Sequence, residues 1–181
     1  MSIKDPRGNQ IIATLLMVIV GLASVAAGAE TEKVVQDSLK RFSIKVPASW
    51  KVSESVDGST FTLAGEEATF IIYPVFRGND LETLHRKMAL QFALRSVEGP
   101  PKKNKVKWEK RRTGNMKALE SVYEIKGGPE DAHKEYRVHV ITLDGEKHKF
   151  SVIVTIPLEL AERNGFEERV VKMVDGFSES N

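Results

Sequence analysis

Apolar and polar residues alternate along "FSIKVPASW", residues 42–50, with Phe42, Ile44 and Val46 set against Ser43, Lys45 and Pro47. A period of two over this length predicts a half-buried β-strand. Pro47 has no amide hydrogen to donate and a fixed φ, so it ends the ladder and turns the chain. Trp50 then opens a second strand, "WKVSES", with Trp50 and Val52 on one face. Asp57-Gly58 is a two-residue hairpin signal. "STFTLA" follows, then a turn at Gly65-Glu66, then "ATFIIYPVF". Phe70 to Tyr73 is apolar on both faces, the pattern of a central strand covered on both sides.

The period then changes. In "GNDLETLHRKMALQFALRSVEG" the spacing of Leu81, Leu84, Met88 and Phe92 predicts a helix with one apolar stripe. Asn79 and Glu82 resemble a capping box at its start, and Gly99-Pro100-Pro101 ends it. Leu90, Leu94 and Val97 fall on the opposite side, placed to pack under a loop or to meet a partner. The last third predicts a three-stranded meander entered from "VKWEKRRT" through the Gly114-Asn115 turn. Its strands are "MKALESVYEIK", "HKEYRVHVITL" and "HKFSVIVTIP", with turns at Gly127-Gly128-Pro129 and Asp144-Gly145. A final helix carries Phe166, Val170, Met173, Val174 and Phe177 on one stripe. Antiparallel strands interrupted by one helix and closed by another predict an α+β fold, with a central antiparallel sheet flanked by helices in an α/β/α sandwich.

Composition changes the picture at the N-terminus. Residues 1–29 combine a short polar start containing Lys4 and Arg7 with the apolar run "IIATLLMVIVGLASVAAGA", the build of an export signal. Ala27-Gly28-Ala29 supplies small residues where a signal peptidase reads, which places cleavage between Ala29 and Glu30. The alternative is an uncleaved anchor, because the run approaches the roughly 20 residues of a spanning helix. Glu30–Lys40 is polar apart from Val34-Val35 and reads as a flexible lead-in. Residues 41–181 are expected to form a single domain. The chain has no cysteine, so neither a lipidated N-terminal cysteine nor a disulfide is available. Setting aside Lys4, Arg7 and Asp5 lowers the net charge of +2 to about +1, which argues against a dedicated nucleic-acid binder. The expected location is the periplasm, or the inner membrane if the signal is retained.

A strand followed by Pro-x-x-Trp near the mature start resembles the PsbP-like superfamily, which includes the DcrB group of bacterial envelope proteins. The likeness continues through Leu81–Leu84 after an apolar strand, "GNMKALESVY" with Gly114, Ala118 and Tyr123, "YRVHVITLDGEKHKF", and the closing Gly176-Phe177-Ser178. It spans residues 40–178 through structural motifs. The resemblance implies a central antiparallel sheet between helices and a non-catalytic accessory or assembly role at a membrane. Two departures limit it. Nothing in the chain indicates a thylakoid, where the photosynthetic members work, and the lipidated cysteine of many DcrB-like proteins is missing, so a membrane anchor does not carry over.

Candidate chemistry is sparse. No Gly-x-Ser-x-Gly elbow or other nucleophile arrangement surrounds any serine, and no cofactor is implied. His133, Glu135, Arg137 and His139 share a strand face by the period of two. His133 and His139 are weak metal-ligand candidates, since Arg137 sits between them and no cysteine or Asp-rich motif accompanies them; as surface histidines on a polar face they need no ligand. Glu66-Glu67 and Glu167-Glu168 are read as solvated pairs. His85 is read as a rim residue of the core, and Trp50 as a core or corner residue burying up to about 150–250 Å², with a ligand platform as its alternative.

The feature that points outward is "PPKKNKVKWEKRR". Lys102, Lys103, Lys105, Lys107, Lys110, Arg111 and Arg112 are offset there only by Glu109. In an exported protein the polyanions at hand are lipid head groups, each Lys or Arg contributing roughly 1 kcal/mol near such a surface. The competing reading is a solvated loop and edge strand, where lysines block edge-to-edge pairing. The functional expectation is an exported, non-catalytic accessory protein that binds a membrane-associated protein or an anionic membrane surface, with no nucleic-acid partner. The alternative is a periplasmic carrier of a small ligand or metal, held in a pocket between helix and sheet.

Overall fold

Phe42, Ile44 and Val46 lie on one buried face of the strand Phe42–Pro47, while Lys45 between them is exposed. The computed structural model describes residues 31–65, 68–76, 78, 80–99, 106–127 and 133–180. The expected signal segment lies outside them. The strands are β1 (Glu32–Gln36), β2 (Phe42–Pro47), β3 (Lys51–Glu54), β4 (Phe61–Ala64), β5 (Thr69–Phe76), β6 (Glu109–Thr113), β7 (Met116–Lys126), β8 (Glu135–Asp144), β9 (His148–Pro157) and β10 (Ser178–Glu179). Helices are α1 (Leu81–Ala93), α2 (Leu158–Ala161) and α3 (Phe166–Lys172), the last running into a 3-10 turn at Met173–Gly176.

Two antiparallel sheets result. The small one has the order β1-β2-β10, and the large one β3-β4-β5-β9-β8-β7-β6. Helix α1 lies over β7, β8 and β9, where Ala89 joins Val138, Val140, Ile125 and Ile153 in one core. The other face of the large sheet supplies Phe70, Ile72, Ile141, Leu143 and Phe150 to a second core, completed by β1, β2 and the C-terminal helices. The chain is therefore α+β and mostly antiparallel sheet. The expected sheet flanked by helices on both faces is realised only in part, because a second sheet fills much of one side. Ile71 and Tyr73 pack on the α1 side and Phe70 and Ile72 on the other, as the two-faced apolar run of β5 requires.

The segment expected as a flexible lead-in contributes β1, whose Val35 is buried opposite Ile44. Its turn is held by Asp37, whose carboxylate accepts from the Arg41 amide at 2.6 Å, the Phe42 amide at 3.2 Å and the Arg41 Nε at 2.6 Å. An aspartate 2% exposed is tolerated because these donors and the guanidinium replace its water. The Pro47 carbonyl accepts from the Trp50 amide at 3.0 Å, closing the turn. Trp50 then stands in the core just ahead of β3, whereas Val52 is 42% exposed. The two do not share an environment as expected, since Trp50 lies outside the strand.

Helix α1 is capped by Asp80, which accepts from the Thr83 amide at 2.8 Å; the expected cap, Asn79, lies outside the described residues. Its buried positions are Leu84, His85, Ala89 and Ala93, while Leu81, Met88 and Phe92 are only partly buried. The helix stops at Ala93, earlier than Gly99, because Ser96 bridges to Ile125 and the Val97 amide donates to the Glu124 carbonyl at 2.8 Å. Leu90 packs on the α1-side core, but Leu94 and Val97 stay exposed. The meander gains a fourth strand, β6. In the C-terminal stripe Phe166, Val170, Val174 and Phe177 are buried, as the spacing predicts, across α3 and the 3-10 turn. Among the described residues no helix is long and apolar enough to cross a membrane.

Candidate functional site

Alternation along β6 divides the basic segment between the two faces of the large sheet. Arg111 pairs opposite Ala118 and points to the side of the larger core. Its guanidinium meets Glu120 at 2.9 Å and Asp175 at 2.8 Å. Lys110 and Arg112 point to the α1 side and are exposed, as is Lys107. Among the described residues these three side chains form no ion pair. Lys102, Lys103 and Lys105 lie outside the described residues. The segment thus does not act as one uniform patch, because Arg111 is spent on internal carboxylates.

Glu120 also belongs to a chain of polar contacts that runs through β7, β8 and α3. Glu120 Oε1 lies 2.9 Å from His139 Nδ1, and His139 Nε2 lies 2.8 Å from Glu167 Oε1, at ion-pair distance though not aligned as a hydrogen bond. Glu167 Oε2 then meets Arg137 at 2.7 Å, and Arg137 meets Glu124 at 2.7 Å. Burial pushes the Glu120 carboxyl up, but His139 and Arg111 outweigh it and hold the group below its ordinary value. Glu124 and Glu167 hold the Arg137 guanidinium above its ordinary value.

This network corrects two expectations. His139 is buried, because α3 brings Glu167 over its strand face. Glu167 is an ion-pair partner of that strand instead of a solvated surface carboxylate; Glu66 and Glu67 lie outside the described residues. His133 precedes β8 and is exposed, six residues from His139, whose two ring nitrogens both face carboxylates. The two histidines are not brought to a common ligand position, and Arg137 between them is committed to Glu124 and Glu167.

On the α1 side the sequence missed a buried polar cluster. His85 has no exposed surface; its Nε2 lies 2.8 Å from Ser121 Oγ and its Nδ1 2.9 Å from Thr142 Oγ1. A serine this close to a histidine invites comparison with a nucleophile and its base. Proton counting opposes that role. Ser121 has one hydroxyl hydrogen, and it goes to the Lys107 carbonyl at 2.6 Å, an acceptor only. His85 Nε2–H therefore donates to Ser121, and bare Nδ1 accepts from Thr142. Burial pushes the imidazole down to about 4, with Glu120 acting weakly the other way, so the ring is neutral. The cluster is a clip between α1 and the sheet, and it left no mark in an apolar periodicity that counts His as polar.

Two open clefts border these groups. One, of about 840 Å³, is lined by Val106, Lys107, Trp108, Glu109, Ser121 and Val122 among others. The second, of about 440 Å³, is lined by His139, the end of α2, the loop 162–165 and the first turns of α3. Among the described residues no group of three or more His, Cys, Asp or Glu is arranged to hold a metal ion.

Neither a family model nor a curated protein matches the chain. Solved structures do. Cyanobacterial PsbP from Synechocystis superposes with a TM-score of 0.55 at 7% identity, over 85% of this chain and 95% of that one. A mutant form of the protein Mog1 gives 0.50 at 13% identity, over 83% and 97%. A protein from Bacteroides thetaiotaomicron gives 0.53 at 11% identity over 83% of this chain. The chain spans about half of that protein's length, 48%. At these identities the likeness is one of fold: the chain has a PsbP/Mog1-like fold.

Proposed function

We propose that this chain is an exported, non-catalytic accessory protein of the DcrB envelope type, which engages an anionic membrane surface or a membrane-associated protein. The observation that carries the reading is the distribution of charge over β6, the segment just ahead of it and β8. Lys107, Lys110 and Arg112 are exposed without an ion pair among the described residues, while Arg111, Arg137 and His139 are matched by internal carboxylates. Cations left unpaired at an edge strand attract anions at a distance, and a surface rich in phosphate receives them. Export is supported by the charged start, apolar run and Ala27-Gly28-Ala29 of the N-terminal segment. The proton arrangement of Ser121 and His85 supports the non-catalytic part.

A carrier of a small ligand is the second reading, favoured by the 840 Å³ cleft beside Trp108 and Lys107, a volume within the range of about 300–1,000 Å³ of small-molecule sites. Purification from membranes under native conditions separates the two. Co-purifying anionic phospholipid or a membrane-associated protein supports the accessory role. A stoichiometric small molecule or metal, with neither lipid nor protein, replaces it with the carrier. Intact mass of the exported protein tests cleavage after Ala29.

A further inference from the structure

Resting on that reading, we infer that the anionic surface is contacted by one face of the β6–β7 ribbon, through Lys110, Arg112 and Lys117, and that its occupant is a bilayer of anionic phospholipid. Lys117 stands outside the basic run, beyond the Gly114-Asn115 turn. The strand register sets it directly opposite Arg112, with Lys110 opposite Leu119. Arg111 and Thr113 face the larger core, so Lys110, Arg112 and Lys117 all face the α1 side, and all three are exposed.

Directly opposed residues on one sheet face have Cβ atoms about 4.5–5.5 Å apart, and like charges there oppose pairing. Arg112 and Lys117 form such a pair. Asp144 stands directly opposite Lys117 on the other side and pairs with Lys149 at 2.9 Å, so along this row one carboxylate serves Arg112, Lys117 and Lys149, and among the described residues neither Arg112 nor Lys117 forms an ion pair. On the opposite face Arg111 is met by two carboxylates. One side of the ribbon is thus neutralised internally and the other keeps an excess of cations over carboxylates that an external anion offsets. Arg86 of α1 adds a further cation at the border of this face, its guanidinium 5.5 Å from the Trp108 ring. Side chains on a strand face project in parallel, so their charges reach one plane. A layer of phosphate head groups matches that plane better than a single enclosed anion.

The test is sedimentation of the full chain with vesicles of phosphatidylcholine, pure or containing about one third phosphatidylglycerol. Three variants are compared with it: Lys110→Gln/Arg112→Gln/Lys117→Gln; Lys102→Gln/Lys103→Gln/Lys105→Gln; and Lys45→Gln/Lys51→Gln/Lys126→Gln, a control of equal charge. The expected result is binding to the anionic vesicles only, lost as salt shortens the Debye length from about 30 Å at 0.01 M to about 8 Å at 0.15 M. The first variant weakens it by at least about tenfold and the control by less than about twofold, with an unchanged melting temperature throughout. Wild-type protein that binds no anionic vesicle, or binds neutral ones equally, overturns the accessory reading as a membrane contact together with this inference. Wild-type binding that survives the first variant but not the second leaves that reading standing and overturns the inference. Equal loss in the first variant and the control overturns it too, by showing that overall charge carries the interaction.

Discussion

The Trp50 indole meets the Phe70 ring edge-on, with centroids 5.2 Å apart and planes at 83°. This contact joins the turn after β2 to the large sheet. Gly65 lies against the same indole, and a Cβ there would stand 2.5 Å from it. Trp50→Ala is expected to cost about 3–5 kcal/mol through loss of the buried ring, measured by urea unfolding. Gly65→Ala is expected to destabilise as well, and less so in the Trp50→Ala background, where the space is free. Full additivity of the two would contradict the packing described.

The His85 clip has a pH signature. Its pKa falls from 6.5 to about 4 on folding, so the unfolded chain binds the extra proton between those values, and stability present above pH 6.5 is lost as pH falls towards 4. A fall of this size corresponds to about 3 kcal/mol. His85→Gln removes the titration, so the stability advantage of the wild type over this variant should shrink across that window. A pH-independent difference would show that His85 is not held neutral by burial.

Glu179 of β10 closes the turn between β8 and β9, accepting from the backbone amides of Glu146 at 2.5 Å, Lys147 at 3.0 Å and His148 at 2.7 Å. Burial pushes its carboxyl up, and these donors with the His148 ring hold it below the ordinary value. The stability it contributes is present above the ordinary glutamate range and lost as pH falls through the lowered value. Glu179→Gln should cost about 1–2 kcal/mol at pH 7. Gly145→Ala should disturb the same contact, since a Cβ would stand 2.7 Å from Glu179 Oε2 and 2.6 Å from the His148 carbonyl oxygen. Thermal unfolding of the double variant should therefore show less than the sum of the single losses.

Position within the charge chain grades its members. Glu120→Gln leaves Arg111 with Asp175 as its one carboxylate and takes the carboxylate away from His139 Nδ1 in a partly buried site, with an expected cost of about 2–3 kcal/mol. Glu124, 45% exposed at the end of the chain, should cost under about 0.5 kcal/mol as Glu124→Gln. Denaturant titrations at pH 7 compare the two directly, and equal costs would remove the graded network.

The short-range features of this fold are written in the chain itself. The alternation of Phe42, Ile44 and Val46, the hairpin at Asp57-Gly58, the turns at Gly114-Asn115 and Asp144-Gly145, and the Phe166–Phe177 stripe all depend on residues within a few positions of one another. Gly58 and Gly114 adopt φ of +65° and +55°, conformations that glycine reaches without a steric cost. Period and turn chemistry are local, and they carry through to the structure.

Tertiary structure decided the rest, because it turns on pairs distant in sequence. Which face of α1 is buried was settled by the hydroxyls of Ser121 and Thr142, 36 and 57 residues from His85; they make a polar ring an acceptable core residue. Val97 left the helix because the edge of β7 offered the Glu124 carbonyl. The polar lead-in became β1 because β2 had a free edge to pair. Most consequential for the site, neighbouring cations in one basic run were separated by the pleat of β6, Arg111 to internal carboxylates and Arg112 to a face it shares with Lys117. A run of like charges in sequence records composition, whereas the strand register sets which of those charges remain without a counter-ion.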